Sequence, residues 1–251
     1  MAKIVSIHSF RGGTGKSNIA ANVATLLATE GQRVGVVDTD IQSPGIHVLF
    51  GLAGEEVRHA LNDYLWGKCE IQQTAHEVTA NLNADLKGRV HLIPSSIKTG
   101  EITRVLREGY DTRRLARGLR SLIQTLALDV LIIDTHPGLN EETLLSIVIS
   151  NVIAIIMRPD QQDYEGTGVT VEVARQLNVP RTELVVNKVP RGFDAVTLRT
   201  QVEHTYGCPV AAVLPHSDEM LALASGGIFA LHYPDHPVTA GLREVASRLA
   251  G

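Results

Sequence analysis

The sequence predicts an α/β protein built on a parallel β-sheet. Short, continuous apolar runs such as 33–38 and 129–134 are typical of strands that are buried on both faces. Helical patterns separate these runs along the chain, which is the alternation seen in parallel α/β folds. A glycine-rich loop joins the first apolar run to the first helical pattern, so this loop is expected at the carboxyl edge of the sheet.

Length and composition set the number of domains. The chain has 251 residues, 44% of them hydrophobic, which is enough for one substantial core. Neither internal repeats nor low-complexity linkers interrupt it, so we expect a single domain over residues 1–251. The net charge of -4 argues against a generally basic nucleic-acid binder, although a local basic patch remains possible.

The cysteines and the hydropathy of the chain indicate the cellular compartment in which the protein is expected. Cys69 and Cys208 lie far apart and form no CxxC pair, so the sequence predicts neither a disulfide framework nor a metal cluster. No apolar run reaches the length of about 18 residues that would span a bilayer, and the chain starts directly on a strand rather than on a signal peptide. We therefore expect a cytoplasmic protein.

The loop after the first strand has the composition of a phosphate-binding loop. The strand, the loop and the helix start read IVSIHSFRGGTGKSN from residue 4 to residue 18. Gly12, Gly13 and Gly15 let backbone N–H groups converge on an anion, because no Cβ intervenes. Lys16 supplies a charge for the β- and γ-phosphates, and the Ser17 hydroxyl is placed to coordinate Mg²⁺. The following helix points its positive dipole end at the same anion.

The loop departs from the usual P-loop pattern in a specific way. Phe10 stands where the usual first glycine would be, and Arg11 precedes the glycine pair. This arrangement resembles the deviant P-loop of the MinD/ParA family of ATPases, which reads Lys-Gly-Gly-x-Gly-Lys-Ser/Thr. The resemblance implies that ATP is held by the loop residues Arg11, Gly12, Gly13, Thr14, Gly15, Lys16, Ser17 and Asn18. In that family the first lysine reaches the partner's nucleotide across a dimer interface, a role that would fall to Arg11.

Two carboxylates follow the apolar strand 33–38, at Asp38 and Asp40. Ligands of open parallel sheets bind beyond the carboxyl ends of the strands, so this pair is expected near the P-loop. The resemblance assigns the orientation of the attacking water to Asp40. It gives Asp38 a role in the Mg²⁺ shell or in bracing the loop. The residues alone also allow a pair of solvated loop acids.

The segment 129–138, DVLIIDTHPG, delivers Asp134 to the same edge. An aspartate at the end of such a strand is placed to hold Mg²⁺ as a Walker B residue. Family members commonly have Asp-x-Pro-Pro-Gly here, and this chain has His136 in place of the first proline. The Pro137-Gly138 pair predicts a loop that changes conformation when the γ-phosphate leaves. His136 is interpreted either as a charge sensor or as a surface histidine.

Asn187 ends a later strand, and its amide can both donate to and accept from an adenine ring. The resemblance supports Asn187 as a base-binding residue. The alternative is a turn asparagine at the end of a strand. Pro215 ends the predicted strand 209–215 and is expected to border the base pocket.

A basic segment remains outside the nucleotide site. Between Arg89 and Arg120 there are eight basic residues against three acidic ones. Arg113, Arg117 and Arg120 recur at helical spacing, and we call the basic segment from Arg104 to Arg120 the arginine stripe. It could bind DNA phosphates nonspecifically, or an acidic partner or an anionic membrane, or be an ordinary solvated face.

The last predicted helix, 238–249, has a single apolar stripe that packing on the body explains, so no C-terminal membrane-targeting helix is expected. The resemblance covers nearly the whole chain and implies a doubly wound, mostly parallel sheet of about seven or eight strands. It also implies an ATP- and Mg²⁺-dependent ATPase that forms a homodimer on ATP and positions a chromosome, plasmid or cargo, with an activating protein partner.

Two other functions remain open at this point. One is a nucleotide-gated regulator with negligible turnover, which single-turnover hydrolysis assays would distinguish. The other is an ATP-coupled, amidoligase-like metabolic enzyme, which should show substrate-dependent ADP release. An iron–sulfur reductase is disfavoured, because neither Cys69 nor Cys208 follows a suitable loop motif.

Overall fold

The computed structural model describes residues 2–251, and its regular elements alternate along the chain. The strands β1 to β8 are Lys3–His8, Arg33–Asp38, His76–Glu77, Arg89–Ile93, Val130–Asp134, Val152–Met157, Arg181–Val189 and Val210–Pro215. The α-helices α1 to α11 are Lys16–Thr29, Ile46–Leu49, Leu61–Leu65, Thr99–Glu108, Thr112–Thr125, Glu141–Val148, Gln161–Gln176, Ala195–Tyr206, Asp218–Leu223, Phe229–His232 and Pro237–Ala250. Short 3-10 helices span Gly54–Glu56, Ile71–Thr74 and Thr79–Leu82.

All eight strands form one sheet in the order β3-β4-β2-β5-β1-β6-β7-β8. Every neighbouring pair is parallel except the short edge strand β3, which runs antiparallel to β4. The predicted fold class is therefore confirmed, including the strand number. Since β1 lies between β5 and β6, the loop that follows β1 emerges at the middle of the carboxyl edge, where ligands of such sheets bind.

Both faces of the sheet are buried, which explains why its strands are apolar without alternation. On one face α1 packs against α11 and against β1, β2 and β5. The apolar stripe of α11 is buried on the same face, against α1 and the edge strand β8. On the other face α3 and α5 cover β2, β4 and β5, while α7 and α8 cover β6 and β7. Side chains of β1 point to both faces of the sheet. Val5 and Ile7 lie in the core beneath α1 and α11, whereas Ser6 contacts α6 on the other face.

The helical spacing of Val57, Ala60, Leu61 and Leu65 predicts a single helix from Glu55 to Trp66, and this prediction is wrong. The structure has the short 3-10 helix 54–56 and a separate α3, because Val57 and Ala60 are both extended. Ala60 donates its N–H to the carboxylate of Asp63, which begins a new helix. Leu61 pairs its N–H with Pro94 O instead of with the preceding turn. Tertiary hydrogen bonds outweighed the helical spacing of the apolar residues.

Membrane-spanning character is not found in the described chain. Across residues 2–251, none of the helices combines the length and apolarity that crossing a bilayer requires.

Candidate functional site

The loop between β1 and α1 is shaped for an anion. Gly13 and Gly15 have φ of +78° and +98°, which side chains with a Cβ rarely adopt. Gly15 is the N-cap of α1, so no side chain caps the helix, and its first turn contains no acidic residue. The first N–H groups of α1 therefore face the loop without a carboxylate partner, as a phosphate site requires.

Lys16 is the buried cation of this site, with 7% of its surface exposed. Its Nζ donates to Ser9 Oγ at 3.1 Å, and the Ser9 hydroxyl donates to Arg11 O at 2.5 Å. Burial lowers the pKa of Lys16, while the carboxylates of Asp134 and Asp40 raise it. The sequence prediction thus missed Ser9, which holds the lysine side chain within the loop.

The predicted carboxylates meet at the carboxyl edge of the sheet. Asp38 and Asp134 are register partners on β2 and β5, and both are 1% exposed. The carboxylate of Asp38 accepts the N–H groups of Asp40 at 3.0 Å and Gly45 at 3.3 Å. These contacts brace the loop after β2. Burial raises the pKa of Asp38 well above its usual value, and the neighbouring Asp134 and Asp40 raise it further.

Asp134 has the contacts expected of a residue that would hold Mg²⁺. Its carboxylate accepts a hydrogen bond from the Ser17 hydroxyl, and its Oδ1 is buried without any partner. Burial raises the pKa of Asp134 to about 6, whereas Ser17 and Lys16 act in the opposite direction. A divalent cation would supply the missing partner of Oδ1. In residues 2–251 there is no cluster of three or more His, Cys, Asp or Glu that would hold a metal by itself.

Asp40 lies at the edge of the same cleft and is less buried than Asp38. Its Oδ1 accepts the N–H of Ser43 at 3.1 Å and is 3.9 Å from Nε2 of His136. Burial raises the pKa of Asp40, while His136 and Lys16 lower it. The two solvated acids that the sequence also allowed are thus replaced by a braced Asp38 and a partly buried Asp40 that faces the loop after β5.

His8, at the end of β1, is a fully buried residue that sequence reasoning did not single out. Its Nδ1 lies 2.8 Å from Thr135 Oγ1, and the Thr135 hydroxyl donates to Ile7 O at 3.1 Å. Because that hydroxyl has only one proton, Nδ1–H is the donor and Nε2 is the unprotonated atom, which has no partner. Burial, with Lys16 and His136 nearby, lowers the pKa of His8 to about 3. This hydrogen bond ties the loop after Asp134 to β1.

An apolar cavity of about 180 Å³ adjoins the loop. It is lined by Gly15, Asn18, Ile19, Asn187, Lys188, Leu214, Pro215, His216, Ser217, Met220, Leu221 and Leu242. The predicted base-binding residues Asn187 and Pro215 are both in this lining. Its mostly apolar walls, with few polar groups, suit a planar base.

Asn187 also contacts the phosphate-binding loop directly. Its Nδ2 donates to Thr14 O at 2.8 Å, and its Oδ1 accepts the N–H of Lys188 at 2.9 Å. The amide retains one N–H and one lone pair for a base, so its base-binding role stays a prediction. A Cβ on Gly15 would approach Asn187 Nδ2 to 2.6 Å, which explains the glycine.

Arg11 forms ion pairs within its own chain. Its Nη1 lies 3.5 Å from Asp160 Oδ1 and 3.5 Å from Asp163 Oδ1, at the start of α7. Phe10 packs against the same helix, since a Cβ on Gly166 would lie 2.1 Å from its ring. The two residues that depart from the usual P-loop pattern both contact α7.

The arginine stripe lies on two helices, separated at Gly109 with φ of +64°. On α5, Arg113, Arg117 and Arg120 are exposed, whereas the leucines of that helix are buried against the sheet. Arg104 pairs with Glu108 and lies 4.5 Å from the centroid of the Trp66 ring. Arg114 donates to Tyr64 O. On α5 the outward-facing arginines of the stripe are therefore Arg113, Arg117 and Arg120, and on α4 Arg107 is exposed as well.

Known proteins are similar to this chain in sequence. A family model described as an AAA domain matches residues 2–183. An uncharacterised ATP-binding protein of Methanocaldococcus jannaschii is 27% identical over 100% of this chain and 89% of its own length. An iron-sulfur cluster carrier protein of Pseudomonas fragi is 29% identical over 97% of this chain and 83% of its own length.

A solved structure supports the same assignment at the level of the fold. The septum site-determining protein MinD of Pyrococcus horikoshii, complexed with Mg-ADP, has a TM-score of 0.82 at 19% identity, covering 99% of this chain and 96% of that chain. The family model spans well over half of the chain, and the fold extends the match to nearly all of it. The chain therefore belongs to the AAA-domain family, and its fold is that of the MinD/ParA P-loop ATPases.

Proposed function

We propose that this protein is a Mg²⁺-dependent ATPase that dimerises on ATP and acts as a nucleotide-timed positioning switch in the cytoplasm. The observation that carries this proposal is the meeting of Lys16, Asp134 and Asp40 at one sheet edge beside an apolar cavity. A cation, a candidate metal ligand and a candidate water-orienting carboxylate are the parts that phosphoryl transfer to water requires. The Mg-ADP in the MinD structure supports nucleotide and metal as ligands of this fold.

Each side chain has a defined task in the proposed hydrolysis. Lys16 and the loop amides offset the charge of the phosphates, and Ser17 and Asp134 hold Mg²⁺, which offsets further charge when bound. Asp40 orients the attacking water in line with the γ-phosphate. Burial raises the pKa of Asp40, and the neighbouring His136 and Lys16 oppose that rise. Asp38 braces the loop that contains Asp40.

Arg11 acts across the dimer in this proposal. Two subunits face each other through their P-loops, and each Arg11 reaches the nucleotide of the partner. To reach that nucleotide, the Arg11 guanidinium leaves its ion pairs with Asp160 and Asp163 and binds phosphate oxygens instead. Its planar fork can form two parallel hydrogen bonds with a phosphate. Arg11 is 39% exposed, so the exchange needs no unfolding of the core.

Hydrolysis dissolves the dimer in this proposal, so ATP sets the time for which the dimer stays on a surface. An activating protein partner shortens that time. The proposed surface is nonspecific DNA, bound through Arg113, Arg117 and Arg120. The net effect is the positioning of a chromosome, plasmid or other cargo.

Iron–sulfur cluster carriage, suggested by the name of the Pseudomonas fragi relative, is not part of this proposal. A transferable cluster needs accessible thiolates, whereas Cys69 and Cys208 are both buried. Burial also raises the pKa of both thiols, which opposes formation of the thiolate.

Light scattering of the Asp40→Ala variant tests the proposal. With ATP the variant should form dimers that persist, and with ADP or without nucleotide it should be monomeric. Phosphate release should fall by about 100-fold or more relative to the wild type, because water is no longer oriented. Lys16→Ala is the control that should neither bind ATP nor dimerise. A monomer in every state would refute the dimer and the role of Arg11 across it, and normal ATP turnover by Lys16→Ala would refute the catalytic assignment.

A further inference from the structure

Lys188, directly after Asn187, has an unusual backbone and an unusual contact. Its φ is +57°, in the left-handed region that is strained for a residue with a Cβ. Its Nζ donates to Gly13 O at 2.8 Å, across 175 positions of sequence. The strain therefore accompanies a specific contact with the phosphate-binding loop, and nothing in the proposed hydrolysis uses this residue.

The position of Lys188 is built by the sheet. The register between β7 and β8 shifts between Val186 and Val189, so the strand pairing is interrupted where Lys188 stands. Such an irregularity turns a side chain away from the direction that regular pleating would give it. The backbone N–H of Lys188 donates a hydrogen bond to Asn187 Oδ1 at 2.9 Å. These features direct the side chain toward the P-loop instead of leaving it to solvent.

Asn187 and Lys188 bind consecutive carbonyls of the loop. Asn187 Nδ2 donates to Thr14 O, and Lys188 Nζ donates to Gly13 O. In a planar trans peptide the C=O and the next N–H point in opposite directions. Holding the Gly13 and Thr14 carbonyls outward thus turns the N–H groups of Thr14 and Gly15 inward, where a phosphate-binding loop needs its donors.

We infer that Lys188 is a positioning residue that presets the loop amides for the β-phosphate and couples the base cavity to the loop. Both Asn187 and Lys188 also line that cavity, so a base seated there contacts the same two side chains that orient the amides. This inference rests on the proposed nucleotide binding and adds a residue to it. Lys188 acts through the Gly13 carbonyl and not through the reacting atoms.

Titration calorimetry with Mg-ADP and with AMP tests the inference on four proteins. Lys188→Met keeps the length of the side chain and removes its charge and donors, so ADP affinity should fall about tenfold. AMP lacks the β-phosphate that the loop surrounds, so its affinity should change less than twofold. Lys188→Arg keeps a donor and should retain ADP affinity within about threefold of the wild type. Lys87→Met removes an exposed charge before β4, at the opposite edge of the sheet, and should change neither affinity.

The ratio of the two affinities separates positioning from a general loss of structure. If Lys188→Met bound ADP and AMP with the wild-type ratio, the inference would be overturned, whether both affinities were unchanged or both were reduced. Lys188→Gly gives a second check, because glycine relieves the strained φ and removes the donor. It should weaken ADP binding as methionine does, and wild-type ADP affinity in this variant would contradict a role for the side chain. Failure of the wild type to bind ADP would overturn the proposed function itself, and this inference with it.

Discussion

At the scale of single residues, the imidazole of His8 is an ionisable group buried in the sheet interior, where it is hydrogen-bonded to Thr135. The unfolded imidazole has a pKa near 6.5, and burial lowers the pKa of His8 in the folded protein to about 3. Lys16 and His136, the charged or titratable groups facing it, act in the same direction. Between these two pH values the unfolded chain binds more protons than the folded one, so the stability falls as the pH drops.

The expected result is a pH-dependent advantage for His8→Asn, which keeps a donor near the position of Nδ1 and has no group that titrates. Lowering the pH from about 7.5 to about 5 should cost the wild type about 2 kcal/mol of unfolding free energy relative to this variant. Urea unfolding of both proteins at the two pH values measures this difference. An equal difference at both pH values would contradict the depressed pKa of His8.

At the scale of elements, α5 has a buried leucine face and an exposed arginine face. Leu115, Leu119 and Leu122 are fully buried against the sheet, and Arg113 and Arg117 point outward. Neither residue type alone predicts a partner, since a solvated basic face has the same pattern. A DNA-binding face differs from a solvated basic face because it releases counterions when DNA binds, which makes the affinity depend on salt.

The double variant Arg113→Ala/Arg117→Ala tests this face. If DNA binds there, the slope of log affinity against log salt should decrease by about two, since each arginine neutralises about one phosphate. Filter binding or fluorescence anisotropy of the ATP-bound Asp40→Ala protein across a salt series gives the slope. Arg191→Ala/Arg243→Ala removes two exposed arginines from other elements and is the matched control. Equal slopes in the two double variants would exclude α5 as the DNA-binding face.

At the scale of the whole molecule, the central strands join both layers of the core. Because β1 and β6 contribute side chains to the layers on both faces, neither layer is expected to unfold without the other. We therefore propose that residues 1–251 unfold as one unit. The described chain has a single tryptophan, Trp66, beside α3 and α4, and it reports on one end of the sheet.

Thermal unfolding followed by circular dichroism and by Trp66 fluorescence should give coincident transitions. Mg-ADP at a hundredfold excess over its dissociation constant should add about 2.7 kcal/mol of stability, because it binds only the folded state. The Lys16→Ala variant should unfold at a temperature that Mg-ADP does not change. Two separate transitions would refute the single unit, and a nucleotide-dependent shift in Lys16→Ala would refute its place in the site.

The residues of the candidate nucleotide site were predictable from local patterns. Apolar runs, the glycine loop and carboxylates at strand ends are signals within a few residues, and the alternation of elements restricts how they assemble. These patterns were sufficient for Lys16, Asp40 and Asp134 to be expected at one edge before the strand order was known. Local patterns failed at 55–66, where a hydrogen bond from Leu61 to Pro94 replaced a helical one.

By itself, the sequence determined the fold class, the phosphate-binding loop and the identity of the carboxylates. Only the tertiary structure decided what lies next to them: Asp163 beside Arg11, Thr135 beside His8 and Lys188 beside Gly13. The last two pairs are 127 and 175 positions apart, and strand order together with one register shift brings them into contact. Periodicity and turn chemistry act over a few residues, whereas these contacts depend on which strands are neighbours, and local patterns contain no such information.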